Sequence, residues 1–106
     1  MESKDKLHLE ELLNSKDEKQ VAETLLYIAY NIKDISWAEA IFMKMAKNSN
    51  DDICGLALTC IGHLARINGK IDKEKIIPFL KEKIENSNEV ISSRAEDALD
   101  DINVFT

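Results

Sequence analysis

The chain has 106 residues, 44% of them apolar and 32% charged, and a formal net charge of −6. That length supports one modest core, and that composition excludes a disordered chain. Three glycines and one proline are too few turn-formers for an all-β fold, and acidic ends around a near-neutral middle are the reverse of a direct nucleic-acid binder.

Apolar residues recurring at helical spacing predict six helices. The first, about 3–14, carries Leu7, Leu9, Leu12 and Leu13. The second, about 17–33, carries Val21, Ala22, Leu25, Leu26, Ala29 and Ile32. The third, about 36–48, opens on "SWAE", where Ser36 and Glu39 have capping-box spacing and Trp37 reads as a packing residue. Its stripe is Ala38, Ile41, Phe42, Met45 and Ala46. The fourth, about 51–67, carries Ile53, Leu56, Ala57, Cys60, Ile61, Leu64 and Ile67, and Gly69 follows where a left-handed residue ends a helix. The fifth, about 72–86, is capped by Asp72, has Ile71 and Ile76 at staple spacing, and continues through Ile77, Phe79, Leu80 and Ile84. The sixth, about 88–103, carries Ile91, Ala95, Ala98, Leu99 and Ile102.

The triplet Asn-Ser-Asn at 48–50 returns at 86–88, and the stripe of the fourth helix returns in the sixth with the same shift of 38. A looser copy in the second helix fits the fourth with a shift of 35, which places Asp17 where Asp52 stands. Asn48 and Asn86 fall near helix ends, where asparagine tolerates the left-handed conformation. Three helical hairpins are therefore expected. One hairpin cannot bury its own apolar face, whereas three in a stack can.

"DDICGLALTCIGHL" supplies Asp52, Ile53, Ala57, Ile61-Gly62 and Leu64, and "EVISSRAEDALDDI" supplies Val90, Ala95, Leu99 and Ile102. These patterns resemble the second helix of a HEAT-like repeat, although Asp100 stands in place of the family's glycine, and Pro78 resembles the proline of its first helix. The resemblance implies an all-α fold, a short right-handed α-solenoid of three HEAT-like hairpins forming a single domain over 1–106.

Residue chemistry offers no activity. His8 and His63 are the two histidines, and no Cys or His pair has zinc-ligand spacing. Cys54 and Cys60 point about 240° apart on one helix, which rules out a bridge between them. Cys54 sits in a first turn, but Asp51 and Asp52 oppose a thiolate there. Phosphate-cradling glycine loops are absent. No catalytic residue, metal or cofactor is expected. The charged first twenty residues lack a signal-peptide core, and no run reaches the ~18 apolar residues of a membrane span. The chain reads as cytoplasmic, with no membrane contact.

Turning the stripes inward leaves Gln20, Thr24, Tyr27 and Asn31 outward on the second helix. Gly55, Gly62 and Arg66 then face outward on the fourth with His63 on the flank, and Ser93, Asp97 and Asp100 on the sixth beside Glu96. Stacked repeats bind partners on such a face. The expected contact set is Tyr27 as anchor, Tyr30, His63, Arg66, and the carboxylates Glu96, Asp97, Asp100 and Asp101. Tyr27 reads equally as that anchor or as a partly buried aromatic between helices, and Tyr30 as a rim contact or as a residue packed on its neighbour. In size, charge and scaffold the chain resembles bacterial immunity proteins of contact-dependent growth inhibition. That implies a non-enzymatic module, monomeric or weakly dimeric when free, that covers the active site of a basic toxin domain, a nuclease for preference. Two alternatives stand beside it: a HEAT-like adaptor, scaffold or regulatory subunit, and a HEAT-like nucleic-acid-processing enzyme.

Overall fold

The computed structural model describes residues 5–106, and among these it is all-α. Six helices run in order: α1 Lys6–Leu13, α2 Glu18–Asn31, α3 Ile35–Met45, α4 Asp51–Asn68, α5 Lys73–Ile84 and α6 Glu89–Phe105. Each begins at an Asp or Asn whose side-chain oxygen accepts a first-turn amide: Asp5, Asp17, Asp34, Asn50, Asp72 and Asn88. An orphan N–H is thereby satisfied at every start, an interaction worth about 0.5–2 kcal/mol each. The third helix departs from the expected Ser36 cap. Asp34 accepts from Trp37 N–H at 3.1 Å, so the helix starts at Ile35. Glu39 is then free to do something else. It is 2% exposed, and it accepts the backbone N–H of Asp72 at 2.8 Å with Lys75 Nζ 3.5 Å away, which ties α3 to the start of α5.

The helices meet as hairpins, α1 with α2, α3 with α4 and α5 with α6, and α4 lies between α2 and α6. Phe42, Leu25, Ile28, Leu58, Ile61, Leu64, Ile76, Leu80 and Ile102 are fully buried in the shared core. Leu7, Leu26 and Ile67, expected in the apolar stripes, are exposed. The α4 helix closes at Gly69, whose φ of 64° and N–H to Ala65 O make the left-handed cap. No non-glycine residue among those described has positive φ, so Asn48 and Asn86 do not act as left-handed terminators.

The repeated triplet instead builds a joint. Asn48 Oδ1 accepts the N–H of Asn50, whose Oδ1 accepts from Asp52 and Ile53 and whose Nδ2 donates back to Glu18 Oε1 of α2. The second triplet repeats every bond. Asn86 holds Asn88, which caps Val90 and Ile91 and donates to Asp51 Oδ2 of α4 at 3.0 Å. In the first repeat Ser15 Oγ holds Asp17, which caps Lys19. Asp17 is therefore the counterpart of Asn50 rather than of Asp52, and α2 maps onto α4 with an offset of 33 rather than 35.

Started level, α4 and α6 approach closely. Gly55 and Gly62 are buried beneath α6 rather than turned to solvent. A Cβ on Gly62 would stand 2.6 Å from Asp101 Oδ2 and 3.3 Å from the Cα of Ala98, whereas one on Gly55 would meet only Arg94 Cγ at 3.7 Å. The two glycines should answer differently to alanine in chemical denaturation. Gly55→Ala raises stability by about 0.5–1 kcal/mol through helix propensity. Gly62→Ala lowers it by about 1–2 kcal/mol, because overpacking outweighs that gain. Ile61→Ala, at the centre of the core, costs about 2–5 kcal/mol.

Candidate partner-binding face

The asparagine joints set the start of α2, α4 and α6, so residues a fixed number of turns downstream lie side by side. Tyr30, 57% exposed, stacks its ring at 5.4 Å and a tilt of 35° against His63. His63 Nδ1 is in contact with Arg66 Nη2, and Arg66 Nε lies 3.6 Å from Asp101 Oδ2. Tyr30, His63, Arg66 and Asp101, four of the eight expected contact residues, thus form one row across three helices. Asp101 is the member most altered from expectation. Instead of standing free as a steering charge it is half-buried, over Gly62, and paired.

A guanidinium can only donate, so Nδ1 of His63 must be the accepting nitrogen and the ring is neutral with its proton on Nε2. Partial burial pushes the His63 pKa below its ordinary 6.5, the nearby Arg66 pushes the same way, and Asp101 opposes them. Two turns nearer the joint than the Arg66–Asp101 pair, Arg94 Nη1 donates to Thr59 Oγ1 at 3.0 Å. Both arginines of the chain are thereby held along the α4–α6 seam. Glu96, Asp97 and Asp100 are exposed on α6, and among the described residues none lies within ion-pair distance of a basic group. In all, α6 carries Glu89, Glu96, Asp97, Asp100 and Asp101 against Arg94 alone.

The remaining expected residues divide. Gln20, Asn31 and Ser93 are exposed, but Thr24 is buried, its hydroxyl donating to Gln20 O at 2.7 Å. Tyr27 lies away from the row, half-buried against the core on a groove that α1 and α2 share with His8. The groove is missing from the sequence reading because its α1 wall is a tertiary contact.

Neither cysteine is poised as a thiolate. Cys54 is buried with Sγ donating to Ala46 O at 3.0 Å, and burial raises its pKa. Burial pushes the Cys60 thiol up to about 12. Among the described residues no cluster of His, Cys, Asp and Glu could hold a metal ion, and no helix is long and apolar enough to cross a membrane.

A chain in the crystal structure of a CDI complex from Cupriavidus taiwanensis LMG 19424 superposes on this one with a TM-score of 0.84 at 30% sequence identity, over 99% of this chain and 96% of that one. Neither a protein-family model nor a curated protein matches.

The lowered His63 pKa makes a directional prediction. The unfolded chain takes up the histidine proton first, so this contribution to stability is complete above pH 6.5 and declines as pH falls toward the lower folded value. In thermal melts from pH 8 to pH 5 the wild type should lose more stability than His63→Gln.

Proposed function

This chain belongs to the same family as its counterpart in that CDI complex, and on that premise we propose that it is the immunity member of a toxin–immunity pair. It acts in the cytoplasm, without catalysis of its own, by binding a basic toxin domain and covering its active site. The near full-length match at 30% identity carries this reading.

The face formed by α2, α4 and α6 supplies the physics. A standard interface takes about 800 Å² from each partner, a small part of the 6247 Å² that this chain exposes. Because Arg66 and Arg94 are engaged along the seam, the carboxylates of α6 project an unneutralised negative field. Such a field speeds encounter with a cationic surface and mimics the phosphate backbone that a nuclease would grip. Tyr30 adds an exposed aromatic ring of the kind that anchors interfaces. Arg66 and Asp101 hold that row in place, and Glu96, Asp97 and Asp100 steer.

The test begins at the locus: a toxin gene should adjoin this one, and its toxin domain is the partner assayed. Co-expression of this chain should restore growth, and the purified pair should associate at a rate that falls steeply between low and high salt. Reversal of both Asp97 and Asp100 to Lys should lower the association rate by about tenfold or more while leaving the melting temperature in place. An association rate indifferent to salt and to that reversal would remove α6 from the interface.

A further inference from the structure

The α2 helix is covered on one side and open on the other. Its covered side meets α4. On its open side α2 and α1 frame a groove of about 420 Å³, walled by His8, Leu9 and Leu12 of α1 and by Gln20, Glu23, Thr24 and Tyr27 of α2. The capping register identifies this groove. Because Asp17, Asn50 and Asn88 are equivalent, Glu23 and Tyr27 of α2 correspond to Arg94 and Ala98 of α6. Those two residues face the preceding helix of the stack, Arg94 through its bond to Thr59 and Ala98 through its close approach to Gly62. The same positions in α4 are Leu56 and Cys60, packed into the core on a helix that meets α2. The α1–α2 groove is therefore a helix seat: it stands at the register position that meets a preceding helix in the inner repeats, and no described helix occupies it.

We propose that a helix of the toxin domain, amphipathic and with Lys or Arg in its first turn, takes this seat and extends the α2–α4–α6 stack by one member. The charges select that occupant. At the two inner joints an asparagine amide donates to a first-turn carboxylate of the preceding helix, Glu18 or Asp51. At the open seat the capping residue is Asp17, which can only accept, and Glu23 stands exposed on the wall. A carboxylate-led helix is repelled there and a cation-led helix is held. A second copy of this chain fits badly, because its open α6 edge is led by Glu89. Leu9 and Leu12 supply the apolar contact, and lysine or arginine stems can lie along them with their charges at Glu23. This inference rests on the toxin–immunity reading and adds a second area of contact to the α6 carboxylates.

Titration calorimetry and hydrogen exchange with that toxin domain decide it. Glu23→Lys should weaken affinity by about tenfold or more with an unchanged melting temperature, and amides of 6–13 and 18–31 should gain protection in the wild-type complex. If the wild type binds tightly, Glu23→Lys binds equally well and α1 and α2 gain no protection, the seat is overturned and the immunity reading stands. A wild type that does not bind the toxin domain overturns both. Concentration-dependent self-association in sedimentation, with amides of 6–13 and 18–31 protected in the absence of toxin, would assign the seat to a second copy and overturn the occupant proposed.

Discussion

A primary amide can accept and donate at once, and the register of this protein depends on two asparagines that do both. Asn50 and Asn88 satisfy the orphan N–H groups of their own helices through Oδ1 and reach the preceding helix through Nδ2. An aspartate in either place would cap equally well but has no hydrogen to donate to a carboxylate. The link sets α2, α4 and α6 level, and levelness decides which side chains meet further along. Arg94 reaches Thr59, Ala98 comes down on Gly62, and Asp101 reaches Arg66. Gly62 then allows the two backbones to approach to a distance that a methyl group would prevent.

The same register distributes the charge. A net charge of −6 spread evenly would produce only a weak field. Here both arginines are turned into the α4–α6 seam, while the four lysines of α5 lie on a first helix of a hairpin. What remains on α6, at Glu96, Asp97 and Asp100, is carboxylate with no ion-pair partner among the described residues. His63, kept neutral beside Arg66, adds no positive charge to the row. An acidic surface at physiological pH is thus a product of packing as much as of composition, and it is this surface that a cationic partner would meet.

Several features were legible in the chain because they are local. Periodicity located all six helices, Gly69 and Asp72 marked a stop and a start, and the returning Asn-Ser-Asn marked a repeated unit. The misreadings share a cause. Ser36 lost the cap to Asp34 because both have suitable chemistry and only the incoming chain direction chooses between them. Glycines at 55 and 62 looked outward because small polar-tolerant residues between two stripes carry no hydrophobic signal, although they lie under a neighbouring helix. Tyr27 and Tyr30 are three residues apart and only about 60° apart around one helix, yet they serve different neighbours, one on the α1 groove and one on the His63 row.

The sequence by itself determined the helices, their pairing into hairpins and the excess of acid, since each follows from short-range periodicity, capping chemistry and composition. Only the tertiary structure decided which flank of each helix meets a neighbour. That choice depends on the joint between one helix start and the next, made by residues 32 or 37 positions apart, and no helical wheel contains it. For that reason the row Tyr30–His63–Arg66–Asp101, the buried Glu39 and the open seat beside α2 appear only once the chain is folded.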